Sequence, residues 1–141
     1  MAQVSVKASM PAAAEDVWQT IRDFGGVHRW APNIVSLEMS GSGVGALRTA
    51  HFKDGGRVVE RLESRNDATR TLTYAILETP LPMEGCISSL TVHDLGPKGC
   101  EVEWYSTFGA KGAPESEAGG VLEKIYRVAL ARLARLHRQG K

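Results

Sequence analysis

The chain has 141 residues, the length of one ordinary domain. Lys and Arg number 17 against 16 Asp and Glu, so a net charge of +1 gives no electrostatic case for a nucleic-acid partner. A hydrophobic fraction of 43%, a charged fraction of 23% and a mean hydropathy of −0.19 describe a globular chain and exclude a disordered one.

Val4-Ser5-Val6-Lys7-Ala8 alternates apolar and polar residues, which predicts a strand with one buried face. Ser9-Met10-Pro11 then stops the strand and opens a helix, because proline suits a first helical turn. Over 12–24 the residues Val17, Trp18, Ile21 and Phe24 recur at helical spacing, and Gly25-Gly26 ends the run. Residues 27–33, with Trp30 and Pro32, predict a short second helix or turn. The segments 34–39, 47–52, 57–64, 71–77, 85–95 and 100–108 then read as strands separated by Gly, Pro, Asn and Asp. Asp54-Gly55-Gly56 is a hairpin signal, and short turns throughout imply antiparallel neighbours. Over 117–137, Val121, Leu122, Ile125, Val128, Ala129, Leu133 and Leu136 fall at helical intervals. A helix of that length, roughly 30 Å, buries an apolar stripe only by lying across a sheet. Its Lys124, Arg127, Arg132, Arg135 and Arg138 read as a solvated face whose cations complement the helix dipole. The fold class is α+β, with about seven strands in a single domain over 1–141.

Period-two alternation assigns the inward faces. Leu72, Tyr74 and Ile76 share one; Cys86, Ser88, Leu90 and Val92 form another; Val102, Trp104, Ser106 and Phe108 a third. On 57–63, Val58 and Leu62 demand one face and carry Glu60 with them, leaving Val59, Arg61 and Glu63 to solvent. An unpaired buried carboxylate is costly, so Glu60 needs an internal partner or a hollow holding water. A slipped register or an edge strand would instead leave it exposed. If Leu47 points inward, Thr49 and His51 follow, which aims His51 toward the mouth beside Asp54-Gly55-Gly56. There it is either a general base, given an unperturbed pKa near 6.5, or a hydrogen-bonded rim residue. Tyr74 is either a core aromatic or a hydroxyl offered to a ligand. Ser88, small and polar on an inward row, suits a cavity wall. Trp30 and Trp104 read as core or cavity lining.

Several functions are excluded by absence. No apolar run approaches the ~20 residues of a membrane span, and residues 1–10 lack the pattern of a signal peptide. Cys86 and Cys100 follow neither a zinc spacing nor a disulfide framework, which fits a reducing cytoplasm. There is no Gly-rich phosphate loop, paired-Cys metal motif or G-x-S-x-G elbow, so no metal or cofactor is expected.

The order of elements and several strings resemble a known superfamily. These are Pro11 with Val17-Trp18, Trp30-Ala31-Pro32, Gly45, Glu60-Arg61-Leu62-Glu63 followed by Asp67, Arg70 and Tyr74, and Thr91-Val92-His93. The chain resembles the helix-grip (SRPBCC) superfamily of START lipid-transfer domains, the birch-pollen allergen (Bet v 1), plant abscisic acid receptors and polyketide cyclase/dehydrase-like proteins. The resemblance implies a curved seven-stranded antiparallel sheet around a long C-terminal helix, with two short helices after the first strand. It also implies that Glu60 faces a ligand cavity and that Tyr74, Ile76, Met83, Cys86 and Ser88 occupy cavity-lining positions. Two departures separate the chain from the hormone receptors. His51-Phe52-Lys53-Asp54-Gly55-Gly56 replaces their gate loop, and their cavity lysine has no counterpart placed from the sequence. The nearer resemblance is to the bacterial polyketide cyclase-like branch.

Two functions follow as expectations. The first is binding or transport of a small hydrophobic molecule, a lipid, isoprenoid or polyketide-like compound. Its site would be drawn from Trp30, Glu60, Tyr74, Ile76, Met83, Cys86, Ser88, Leu90, Trp104 and Phe108. The second is a polyketide cyclase, aromatase or dehydratase in which Glu60 transfers protons with His51 or Tyr74. The expected partner is that small molecule, with neither nucleic acid nor a membrane span; a homodimer is left open.

Overall fold

The computed structural model describes residues 1–139. Strand β1 (Ala2–Met10) leads into helix α1 (Ala14–Arg22) and a short 3₁₀-helix (Phe24–Arg29). Six strands follow: β2 (Ile34–Ser40), β3 (Leu47–Phe52), β4 (Arg57–Asn66), β5 (Thr71–Glu78), β6 (Met83–Asp94) and β7 (Cys100–Ala110). Helix α2 (Glu115–Gln139) closes the chain. The strands form one antiparallel sheet in the order β1-β7-β6-β5-β4-β3-β2. The two N-terminal helices carry the chain from one sheet edge to the other, where β2 begins. This is the helix-grip architecture that the sequence implied.

Alternation builds the sheet. On β7 buried and half-exposed residues alternate from Cys100 to Phe108 without a break. Register shifts on β2, β4 and β6 mark bulges, which bend a strand and increase its twist, so the sheet curls into a concave face. The β3–β4 turn closes by Phe52 N–H donating to Gly56 O at 2.8 Å, with Gly55 at φ 94°, a conformation that suits glycine. Along its 25 residues, roughly 37 Å, α2 packs chiefly on β1 and β7. Gly119 permits the close approach: a Cβ there would stand 3.3 Å from Val4 Cγ2.

Two sequence expectations need correction. The first helix is shorter than 12–24, ending at Arg22, and the short second helix or turn expected over 27–33 is a 3₁₀-helix that begins earlier, at Phe24, and ends at Arg29. The buried stripe of α2 is Ala118, Leu122, Tyr126, Ala129, Leu130 and Leu133. Ile125 and Val128 flank it, 37% and 44% exposed, because a straight helix that meets a curved sheet buries only a narrow line.

Candidate functional site

Where the sheet curls away from α2, the two surfaces leave a cavity of about 550 Å³. Its mouth lies between the β3–β4 turn at Lys53–Gly56, the β5–β6 turn at Thr79–Leu81, residues Ala31–Ile34 and Ile125 of α2. The walls are mostly aliphatic and aromatic: Val27, Ala50, Val58, Ile76 and Leu122 among others. Arg48, Glu60, Tyr74, Trp104 and Tyr126 contribute polar groups to the wall, and Asn33, Lys53, Asp54 and Thr79 contribute more from the surrounding loops.

Arg48 and Glu60 face each other across the β3–β4 ladder, so hairpin register alone brings them together on the concave side. Arg48 Nε donates to Glu60 Oε1 at 2.6 Å, and Nη1 donates to Phe24 O at 2.9 Å. The side chains are 6% and 14% exposed. The guanidinium carbon lies 3.8 Å from the Phe24 ring centroid and 5.0 Å from that of Tyr74. Such π faces stabilise a desolvated cation, and the carboxylate cancels its charge. A buried ion is tolerable in this company.

Around Trp104 a second polar layer is built from neutral groups. Its ring stacks on Tyr126 at 4.0 Å and 9°, tying β7 to α2, and its Nε1 donates to Tyr74 Oη at 3.1 Å. Behind Tyr126, its hydroxyl lies 2.5 Å from Ser106 Oγ and 3.3 Å from Ser88 Oγ, and the two serines are 2.6 Å apart. Three hydroxyls so placed satisfy one another in a ring, each donating once and accepting once. Cys86 Sγ lies 3.6 Å from Ser88 Oγ. Burial pushes the Tyr74 phenol well above its ordinary value, the neighbouring Tyr126 and Glu60 add to the rise, and Arg48 opposes it. Burial likewise raises Tyr126, against hydrogen bonds with Ser106 and Ser88, and raises the Cys86 thiol. All three remain protonated at neutral pH. Trp30 packs against Trp104 with centroids 5.6 Å apart, and its Nε1 is buried without a partner among the described residues.

Of the residues singled out from the sequence, Glu60, Tyr74, Ile76 and Trp104 border this cavity. Trp30, Leu90 and Phe108 are packed in the core beside it, and Ser88 is sealed in the hydroxyl ring. Met83 and Cys86 border a smaller hollow under the β5–β6 turn. His51 is a correction. The inward row of β3 is Arg48 and Ala50, not Leu47, Thr49 and His51, so the imidazole turns to the other face and pairs with exposed Glu38 at 2.6 Å. It is no partner for Glu60. Sequence reasoning missed Arg48 and Tyr126. Arg48 could have been found from the Asp54-Gly55 hairpin, whose register sets residue 48 opposite residue 60. Tyr126 lies one turn beyond Leu122 on the buried stripe.

A family model described as polyketide cyclase / dehydrase and lipid transport matches residues 1–138. The chain belongs to this family. Among solved structures, the XoxI protein of Bacillus cereus is 30% identical to this family member. Its TM-score is 0.90 over 96% of this chain and 95% of that one. The ZhuI aromatase/cyclase of a Streptomyces species is 18% identical, with a TM-score of 0.78 over 99% and 95% of the two chains. Norcoclaurine synthase of Thalictrum flavum, solved with dopamine and hydroxybenzaldehyde, is also 18% identical, with a TM-score of 0.76 over 99% and 87%. At that identity the last two share the fold. A search of curated proteins gives no match. Among the described residues, no helix of this family member is long and apolar enough to cross a membrane.

Proposed function

We propose that the protein binds a small, predominantly apolar molecule in this cavity, a lipid, isoprenoid or polyketide-like compound, and works as a carrier or receptor. The observation that carries the reading is a mostly apolar hollow of about 550 Å³ with one ion pair, Arg48–Glu60, in its wall. That combination of broad apolar contact and a few fixed polar groups is what orients a ligand. Membership of a family whose description includes lipid transport supports it. A cytoplasmic setting, suited to the two free thiols Cys86 and Cys100, is part of the proposal.

The test is native mass spectrometry of the purified protein against lipids, isoprenoids and aromatic polyketides, backed by thermal melts. A genuine ligand at a hundred times its Kd stabilises by about 2.7 kcal/mol. For 141 residues that raises Tm by roughly 9 °C. Failure of every class to bind would sink the reading.

One observation favours a second reading, a cyclase, aromatase or dehydratase. Glu60 and Tyr74 border the same hollow, so a carboxylate and a phenol could exchange protons with one substrate. The aromatase/cyclase of like fold supports the choice of reaction class. Glu60→Gln separates the two readings: a carrier retains affinity for an apolar ligand, whereas an enzyme loses turnover by about 10²-fold or more.

A further inference from the structure

At the β5–β6 turn the sheet forks. The ladder between these strands runs from Thr71↔Thr91 to Ala75↔Ile87 and stops. Beyond it, Ile76 and Glu78 stay in register with Glu60 and Val59 of β4, while Met83 and Glu84 stay with Ala110 and Gly109 of β7. A bulge on β6 between Glu84 and Ile87, with Gly85 at φ 61°, bends that strand away from β5. Bulges commonly end a pairing in this way. The smaller hollow, about 280 Å³, occupies the space where the ladder would have continued.

This fork runs from the outside of the sheet to the wall of the main cavity. Leu77, Glu84 and Lys111 border it and are exposed; Met83 and Cys86 border it and are buried. Ile76 and Thr79 line both hollows, so the two spaces meet at these residues. Ile76 continues the inward row of Leu72 and Tyr74, yet it is half-buried where they are sealed. The two spaces differ in chemistry. The main cavity is mostly apolar, whereas the fork sets Glu78, Thr79, Glu84 and Lys111 beside Leu77 and Met83. A broad apolar group is favoured in the first and a hydrogen-bonding one in the second.

Resting on the binding reading above, we infer that the fork is a second subsite for an elongated guest, whose broad apolar body fills the main cavity while a narrow chain passes Ile76 and places a polar end between β5 and β6. Ile76 is then a specificity-determining residue, because its bulk decides how wide a chain reaches the fork.

Three probes test this: naphthalene, naphthalene bearing a long unbranched alkyl chain, and the same chain ending in a hydroxyl. The protein carries ¹³C in its methionine methyl groups. Met83 borders the fork and pairs with Ala110 at one end of β7; Met10, the reference, pairs with Cys100 at the other end. The hydroxyl-ended chain is expected to shift the Met83 methyl resonance and to show a nuclear Overhauser contact from its terminal CH₂ to that methyl. Naphthalene alone should leave Met83 unmoved, and no probe should shift Met10. The terminal hydroxyl should cost less than about threefold in affinity, whereas burying it in the apolar cavity costs about tenfold or more. Ile76→Phe should cut the affinity advantage of the hydroxyl-ended chain over naphthalene, both measured in that variant, by about tenfold. An undiminished advantage there overturns the role of Ile76. The subsite is overturned if the chain binds wild-type protein without touching Met83, or if its hydroxyl costs tenfold or more, and these wild-type readouts need no variant to fold. Either result leaves the main cavity as a binding site. Should none of the three probes bind, the cavity-binding reading falls and takes this one with it.

Discussion

The buried pair Arg48–Glu60 makes a sharp stability prediction. Two charges about 4 Å apart attract by ~4 kcal/mol at an effective dielectric of 20. Removing Glu60 forfeits that attraction, but the guanidinium keeps its bond to Phe24 O and its place over the Phe24 ring, the latter worth ~1–2 kcal/mol to a desolvated cation. Glu60→Leu should therefore destabilise by about 3 kcal/mol, and Arg48→Met by a similar amount because it strands a carboxylate with little solvent around it. For a 141-residue chain each loss lowers Tm by roughly 10 °C. The double variant Arg48→Met/Glu60→Leu strands no charge and fills the same space with apolar atoms, losing only the Arg48 bond to Phe24 O, so it should lie within about 2 kcal/mol of wild type. Urea unfolding of all four proteins measures the cycle, and high salt should barely change it, since buried pairs are poorly screened. The reasoning is refuted if either single change costs under about 1 kcal/mol, or if the double change costs the sum of the two.

Two further predictions concern groups around the cavity and α2. Tyr126→Phe keeps the stack on Trp104 while Ser88 and Ser106 still pair, so it should cost only about 1 kcal/mol in urea unfolding; a loss above about 3 kcal/mol would mean the hydroxyl ring is more strongly coupled than its geometry implies. His137 pairs with Thr20 Oγ1 at 2.9 Å, and burial holds its pKa below the ordinary 6.5, against Asp16, which raises it, and with Arg29, which lowers it further. The unfolded chain then binds the proton more readily than the folded one, so stability should fall as pH drops through 6.5 and level off below the depressed pKa. His137→Gln should flatten that part of the stability–pH curve; an unchanged slope would place its origin elsewhere.

How far the sequence reached depended on whether a strand marked its own faces. On β4, Val58 and Leu62 bracket Glu60, and the carboxylate borders the cavity as alternation required. On β3 one face carries Leu47 with Thr49 and His51 and the other Ala50 and Phe52 with the charged Arg48, so the charge masked the inward face and Leu47 was the wrong guide. What decides β3 is its ladder with β4: Glu60 needs a counter-charge, and register supplies Arg48. That is pair information, absent from either strand alone. On α2 the aliphatic residues Ile125 and Val128 drew the stripe off line, whereas Tyr126, polar at its tip, was the buried one because Ser88 and Ser106 meet its hydroxyl. The remaining inward rows, on β5, β6 and β7, carried enough apolar residues to declare themselves.

Helix α2 clamps β1 and β7, drawn tight by the missing side chain of Gly119, while β3 and β4 stand off it across empty space. The domain is thus unevenly packed, a half clamped by the helix joined through β5 and β6 to a half that faces the cavity. Apart from the Arg48–Glu60 pair, the wall positions of β3 and β4 can therefore vary at less cost to folding than the positions where β1 and β7 meet the helix.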